Sequence, residues 1–105
     1  MNLLDQQLLE RFRELGKQDI LDPIIVAKFF TSWSRWTWYV ISYDEESGMF
    51  FGLVQGSHTE LGYFSMTDLK RLKGPFGFGV ERDLHWREKR LSELKQRRPD
   101  LGGIL

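Results

Sequence analysis

The sequence has no cysteine, and this absence excludes several kinds of chemistry at once. Without thiolates the chain can form no disulfide, no cysteine-ligated zinc site, no iron–sulfur cluster and no cysteine nucleophile. A chain of this kind suits the reducing cytoplasm, where we expect it to act. No stretch approaches the roughly 20 apolar residues that span a bilayer, and residues 1–16 interleave charge with leucine, unlike a signal peptide. We therefore expect no membrane partner.

An excess of charge of one sign is also lacking, because 15 basic and 15 acidic residues cancel. The chain as a whole is thus unlike a dedicated nucleic-acid binder, although a local basic patch remains compatible with the sequence. A length of 105 residues is enough for one core. We expect one domain over residues 1–98 and a mobile tail over residues 99–105.

Aromatic residues are concentrated in residues 29–43, and we interpret residues 36–43 as the central strand of a small sheet. Strict alternation would divide this strand into two faces. Both faces would be largely apolar, so the sequence predicts that both are covered by other elements. The two predicted faces are Trp36, Trp38, Val40 and Ser42 on one side, and Thr37, Tyr39, Ile41 and Tyr43 on the other.

Three further runs have strand character, namely residues 24–30, 49–54 and 60–65, and residues 80–86 are a candidate fifth strand. Short polar turns join the first four strands, which predicts an antiparallel meander in sequential order.

Helical patterns flank these strands. The leucine spacing of residues 3–15 predicts an amphipathic helix, capped by Asn2 and ended by Gly16. Ser65 and Asp68 form a capping box that opens a short helix, and residues 87–98 predict a weakly amphipathic basic helix. The predicted fold is α+β: a four- to five-stranded, mainly antiparallel meander with an N-terminal amphipathic helix on one face and short C-terminal helices on the other face or at an edge.

The strings WTWYV, FFGLVQGSHTELGYFS and GPFGFGVERDLHW follow one another within residues 36–86. Together they resemble a small bacterial family catalogued as a domain of unknown function, over roughly residues 24–95. The resemblance implies a single-domain protein or module frequently carried on plasmids and other mobile elements, and it implies no activity. The chain departs from the family pattern at Ser42, where an acid often stands, and at Gly79, where proline often stands.

The sharpest candidate for chemistry is the set Glu81, Asp83 and His85. If residues 80–86 form a strand, these side chains project from one face, where they could hold a divalent metal or perform acid–base chemistry. The alternative, which we favour, is a polar face that simply meets water. One strand supplies three ligands at most, and the only evident sources of a fourth are His58 and Glu60.

The loop GPFGFG has three glycines but lacks the strand-and-helix context and the spacing of a phosphate-binding loop. We interpret it as a connector whose Phe76 and Phe78 tuck onto the core. We expect Trp33 and Trp36 to be partly exposed, because the residues around them are polar. With Arg35 beside them they could stack on single-stranded nucleic acid, although core packing is the simpler interpretation.

The predicted function is non-enzymatic binding of a protein partner, including a second copy of the chain, with no cofactor. In the setting that the resemblance implies, this would be an accessory role in plasmid maintenance or inhibition of a host-defence complex. One alternative is nucleic-acid binding through the basic residues of 87–98, among them Lys89 and Lys95, together with Trp33 and Trp36. The other is a metal-dependent enzyme centred on Glu81, Asp83 and His85. The candidate partner-binding residues are Trp33, Arg35, Trp36, Arg87, Arg90, Arg97 and Arg98.

Overall fold

The computed structural model of the chain describes residues 2–101. Within these residues no helix has the length and apolar composition that crossing a bilayer requires. The helices and strands follow in the order α1 (Gln6–Leu15), β1 (Ile24–Ile25), β2 (Ala27–Thr31), β3 (Thr37–Asp44), β4 (Met49–Gln55), β5 (Thr59–Ser65), α2 (Met66–Arg71), β6 (Val80–Arg82), β7 (Lys89–Arg90) and α3 (Leu91–Arg97).

The main sheet has five antiparallel strands in the order β5, β4, β3, β2, β6. Strands β2 to β5 are neighbours both in sequence and in space, so the predicted meander and the α+β class are confirmed. A separate two-stranded ribbon pairs β1 with β7, with Ile24 opposite Arg90. This ribbon was not predicted from the sequence.

One face of the sheet is covered by α1 and α2. Leu8 and Phe12 of α1 are buried against Phe50 of β4, and the ring centroids of Phe12 and Phe50 lie 6.2 Å apart. Leu69 of α2 belongs to the same cluster, so this later helix lies on the side of α1. The prediction that the later helices lie on the other face or at an edge was therefore wrong for α2. Burying one such side chain stabilises the fold by roughly 1.5–3 kcal/mol.

The second face is covered by α3 and by the turn that follows it. Leu91 and Leu94 pack with Tyr39 of β3, and Leu101 is fully buried in the same cluster. Both faces are therefore covered, as the sequence predicted. Pro99–Leu101, the first part of the predicted tail, forms a helical turn, and Leu101 packs in this cluster. The rest of the predicted tail, residues 102–105, lies outside the described residues.

β3 changes face partway along its length. Its pairing with β4 shifts register between Val40 and Ser42, which is a β-bulge. Tyr43 consequently lies on the same face as Phe50, with ring centroids 4.5 Å apart. The prediction that Tyr43 shares a face with Ile41 was wrong, because strict alternation stops at the bulge.

The side chain of Gln18 joins β1 to this bulge. Its amide nitrogen donates to the carbonyl oxygens of Ile24 at 3.0 Å and Ile41 at 2.9 Å. Its amide oxygen accepts from the N–H of Ile24 at 2.8 Å. A primary amide offers the same donor and acceptor groups as a peptide unit, so Gln18 takes the place of a strand between β1 and β3.

α1 begins at Gln6, later than the predicted residue 3. The cap is Asp5 rather than Asn2, because the Asp5 carboxylate accepts from the N–H of Leu8 at 2.8 Å. The hydrogen bond from Leu8 and the neighbouring Arg82 keep the pKa of Asp5 below its usual value. Gly16, with a φ of 60°, ends the helix as predicted.

α3 begins at Leu91, so the predicted helix over residues 87–98 starts too early. The two preceding residues pair with β1 instead. The new helix start is capped from far away, because the carboxylate of Asp22 accepts from both the N–H and the hydroxyl of Ser92 at 2.8 Å. These hydrogen bonds lower the pKa of Asp22. The contact between Asp22 and Ser92 thus joins the segment before β1 to the first turn of α3.

Other strand bounds also differ from the predictions. The run over residues 24–30 breaks at Val26, where the chain leaves the ribbon and enters the main sheet. β3 starts at Thr37 rather than at Trp36. The candidate strand over residues 80–86 stops at Arg82, because a turn follows.

We expect Gln18→Ala to lower the free energy of unfolding by about 1–3 kcal/mol, because the N–H of Ile24 and the carbonyl of Ile41 lose their partner. Urea unfolding followed by tryptophan fluorescence measures this change. Gln7→Ala, at an exposed position of α1, is the matched control and should change the stability by less than about 0.5 kcal/mol. Equal effects of the two substitutions would contradict the role given to Gln18.

Candidate functional site

The structure does not bring Glu81, Asp83 and His85 onto one strand face. Glu81 lies on β6, but Asp83 opens a turn in which its carboxylate accepts from the N–H of His85 at 2.9 Å and its carbonyl from the N–H of Trp86 at 3.2 Å. The strand that the metal hypothesis assumed does not form. Among residues 2–101, no group of three or more His, Asp or Glu side chains is arranged to hold a metal ion.

The candidate arginines of the C-terminal segment lie on different elements and are engaged differently. Arg90 lies on β7 and donates to the carbonyl of Asp22 at 2.9 Å. Arg97 forms an ion pair with Glu93 at 3.2 Å on the surface of α3. Arg87 precedes the helix and is exposed. The predicted continuous basic helix face is therefore divided between a strand and a shorter helix.

Arg98 is bound within the fold. Its guanidinium donates to the hydroxyl of Tyr39 at 3.0 Å and to the carboxylate of Asp100 at 2.8 Å, and it also contacts the amide of Gln55 at 3.3 Å. This guanidinium lowers the pKa of Asp100, while burial raises the pKa of the Tyr39 hydroxyl. Arg98 thus closes the edge of the second core cluster.

A cleft of about 390 Å³ collects the charged side chains around Arg87. Lys89 lies 3.6 Å above the centroid of the Trp86 ring, and burial, aided by the charge of Arg97, lowers the pKa of this lysine. Glu88 also lines the cleft and forms an ion pair with Arg11 of α1 at 2.9 Å. Because cations and carboxylates alternate here, the cleft does not present a field of one sign.

The turn between β2 and β3 carries Trp33, Arg35 and Trp36 at one end of the sheet. Thr31 and Ser34 join through their hydroxyls, and Ser34 also accepts from the N–H of Trp36 at 3.1 Å. This bonding fixes the shape of the turn. Arg35 and Trp36 are exposed and Trp33 is half-buried, so the structure brings these three predicted residues together.

Each of the two tryptophans packs against a glycine of another loop. A Cβ added at Gly74 would overlap the ring of Trp33, and one added at Gly56 would overlap the ring of Trp36. Only glycine permits this close approach of ring and backbone. The β2–β3 turn, the β4–β5 turn and the loop after α2 therefore meet at the same end of the molecule.

The loop after α2, residues 72–79, is here called the aromatic loop. Phe76 is 98% exposed and Phe78 is 57% exposed, so the prediction that they tuck onto the core was wrong. Leu72 at the start of the loop is also exposed. The glycines around Phe76 and Phe78 were the signal in the sequence that could have predicted this exposure. They have no side chains that could cover the two rings.

The aromatic loop is closed by its own backbone. The N–H of Gly74 donates to the carbonyl of Phe78 at 2.7 Å, and the N–H of Phe78 returns to the carbonyl of Pro75 at 3.3 Å. At the apex Phe76 has φ 58° and ψ 20°. Among residues 2–101 it is the one non-glycine residue with a positive φ, a conformation that costs an L-residue roughly 1–2 kcal/mol.

A second unfavourable contribution to the stability of the fold comes from Trp33, which packs against the aromatic loop at Gly74. The indole N–H of Trp33 is buried and finds no acceptor within residues 2–101. Leaving such a donor unpaired costs about 1–3 kcal/mol. Strain and unpaired groups tend to persist where a structure serves function rather than stability. The strained backbone of Phe76 and the unpaired N–H of Trp33 both lie at the aromatic loop or at the residue that packs against it.

The surroundings of the aromatic loop are basic. Lys70, Arg71 and Lys73 lie before or within it, and the sequence has no acidic residue between Asp68 and Glu81. Arg35 is exposed on the adjoining turn. None of these four cations forms an ion pair within the described part of the chain.

A wide depression of about 930 Å³ lies at the other end of β3. Phe12 and Phe51 contribute to its apolar floor, and Arg13 forms an ion pair with Glu45 at its rim. Asp44 is engaged in its own turn, where it accepts from the N–H of Glu46 at 3.1 Å. Arg13 and Glu45 thus neutralise each other at this rim, and none of the predicted site residues lines the depression.

The chain is a small α+β domain in which Phe76, the most exposed of the large apolar side chains within residues 2–101, stands at the apex of a basic, glycine-rich loop. It belongs to the DUF2958 family, described as a protein of unknown function, which it matches over residues 2–105. The expectation that the chain is a small domain of unknown function is thereby confirmed. No curated protein and no solved structure matches the chain.

We expect Gly74→Ala to lower the free energy of unfolding by about 1–3 kcal/mol, because its methyl group must displace the ring of Trp33. Thermal or urea unfolding measures the loss, and the near-ultraviolet circular dichroism of tryptophan should change with it. Lys70→Ala is the control, since Lys70 is exposed on α2 and its substitution should change the stability by less than about 0.5 kcal/mol. If Gly74→Ala is no more destabilising than Lys70→Ala, Trp33 does not support the loop as described.

Proposed function

We propose that this chain is a non-enzymatic protein-interaction domain, and that the aromatic loop together with Arg35 and Trp36 forms its binding surface. The observation that carries the proposal is the exposed ring of Phe76 at the apex of a closed loop. Exposing a Phe ring forgoes about 1.5–3 kcal/mol that burial would supply. A partner with a pocket for this ring would recover that free energy.

The charges around the aromatic loop indicate the chemistry of the partner. Lys70 and Arg71 at the end of α2 and Lys73 within the loop are exposed, and they place positive charge next in the chain to the exposed Phe76 and Phe78. An aromatic anchor inside a charged rim is typical of a protein interface, where the anchor supplies affinity and the rim sets the encounter rate. The partner surface we infer is an apolar pocket bordered by Asp and Glu.

Nucleic acid is the alternative partner for a basic, aromatic surface. Two observations favour a protein instead. The rings of Trp33 and Trp36 each lie against a glycine, which occupies a face that a base would need for stacking. Arg97 and Arg98 of the C-terminal segment are bonded to carboxylates of the chain itself.

The biological setting is part of the proposal. The predicted association with plasmids or other mobile elements, and the accessory or defence-inhibiting role within it, would suit a small domain that acts by binding. The cytoplasmic location and the single domain over residues 1–98 likewise stay predictions.

We expect Phe76→Gly to reduce recovery of the protein partner about tenfold or more, because an interface anchor of this kind contributes ~2 kcal/mol or more. Its stability should not fall, since glycine adopts the positive φ at position 76 without strain. The measurement is affinity purification of the tagged chain from its bacterial host, quantified by mass spectrometry, with nuclease-treated and untreated samples.

Leu84→Gly is the matched control, because Leu84 is 67% exposed but lies outside the aromatic loop. It should retain the partner. The proposal fails if Phe76→Gly retains the partner as well as the wild type does. It also fails if the only material recovered is nucleic acid, or protein that disappears after nuclease treatment.

A further inference from the structure

The outer edge of the main sheet is formed by β5, which is long and regular. β5 is seven residues long, pairs within residues 2–101 only with β4, and its pairing has no bulge. The opposite edge is formed by β6, which is only three residues long. Soluble proteins usually protect an exposed edge with charged side chains, especially lysine, or with proline, a bulge or a short strand. Of these devices β5, TELGYFS, has one charged side chain, Glu60, and it has no lysine or proline.

The hydrogen bonds at the two ends of β5 show which of its backbone groups point outward. The N–H of Gly56 donates to the carbonyl of His58, and the N–H of Met66 donates to the carbonyl of Gly48, both at 2.9 Å. Backbone groups of an antiparallel strand alternate between its two sides. The N–H and C=O groups of the even-numbered residues of β5 therefore point toward β4. Those of Thr59, Leu61, Tyr63 and Ser65 point outward.

We propose that this edge pairs with β5 of a second copy of the chain, giving a two-fold dimer with one continuous ten-stranded sheet. In the register we infer, the two copies of Gly62 face each other on the two-fold axis. Tyr63 then lies opposite Leu61 of the second copy, and Thr59 lies opposite Ser65 of the second copy. The outward-facing backbone groups of Thr59, Leu61 and Tyr63 all gain partners.

The side chains of β5 complement one another in this register. Tyr63 is 69% exposed, and the strand of the second copy places the apolar Leu61 beside it. Cross-strand pairs of this kind, and Thr–Ser pairs, each contribute roughly 0.2–1 kcal/mol. At the centre, the absence of a side chain at Gly62 lets the two strands approach, and the space above it is open.

Charge also favours a second copy. Glu60 is the one charged residue of β5, and in this register it lies opposite Phe64 of the second copy rather than opposite another Glu60. No like charges face each other across the strand pair, so the dimer carries no repulsion that would have to be offset. A foreign strand would have to supply this complementarity by itself, whereas a second copy supplies it through symmetry.

The first test uses the absence of cysteine from the chain. Because the Gly62 pair is not hydrogen-bonded, its two Cα atoms should lie about 4.5 Å apart, which lies within the range that a disulfide spans. We expect Gly62→Cys to form an interchain disulfide in mild oxidant, seen as a two-chain band that thiols remove. Thr67→Cys, at an exposed site on α2, is the control and should run largely as a single-chain band.

The second test measures mass in solution by light scattering over a wide range of concentration. The wild type should show the mass of two chains, and Tyr63→Lys should raise the dimer dissociation constant about tenfold or more, a change of about 1.4 kcal/mol. Leu84→Lys makes a matched change at an exposed apolar residue outside β5 and should remain dimeric.

Either of two results overturns the proposal. One is a wild type that has the mass of a single chain at every concentration. The other is equal disulfide formation by Gly62→Cys and Thr67→Cys, which would indicate random collision rather than a paired edge. Because neither test uses the aromatic loop, their outcome is independent of the proposed function.

Discussion

The structure depends on one constraint, which is that both faces of β3 are apolar and both must be removed from water. Trp38 and Val40 face α1, while Tyr39 and Ile41 face α3. Elements from the two ends of the chain are therefore needed to complete one sheet. Two polar side chains hold the two ends in place: Gln18 bonds β1 to the bulge of β3, and Asp22 caps α3. The fold is thus closed by hydrogen bonds between residues that are distant in sequence.

The elements whose patterns are local could be predicted from the sequence. The meander order followed from short polar turns, and the short helix after Ser65 followed from its capping box, in which the Ser65 hydroxyl accepts from the N–H of Asp68 at 2.9 Å. What could not be predicted arises from contacts between distant residues. The start of α3 is fixed by Asp22, the β1–β7 ribbon by pairing across the chain, and the side of Tyr43 by a bulge that periodicity does not reveal.

The candidate site was predicted only in part, and the reason is physical. Trp33, Arg35 and Trp36 do lie together, because the polar turn around them keeps them at the surface. Phe76 was assigned to the core because phenylalanine usually lies there. Its exposure follows from a closed loop with glycines at both sides and a supporting contact between Gly74 and Trp33. That contact joins segments that the sequence keeps far apart.

The two proposals meet along the chain, because β5, α2 and the aromatic loop are consecutive. A dimer formed through β5 would carry two aromatic loops, and a partner with two pockets would then bind with a higher effective affinity than either loop alone provides. Such an arrangement would increase binding strength without any further contact surface. Each loop would still act on its own if the chain is a monomer.

The most direct measurement of the central claim is site-specific photo-crosslinking in living host cells. A photoreactive phenylalanine analogue at position 76 places the reactive group where Phe76 stands, and the same analogue at position 84 serves as the reference. The account predicts one discrete crosslinked protein from position 76, rich in Asp and Glu around the crosslinked site, and none from position 84. The same diffuse products from both positions, or a crosslink to nucleic acid at position 76, would contradict it.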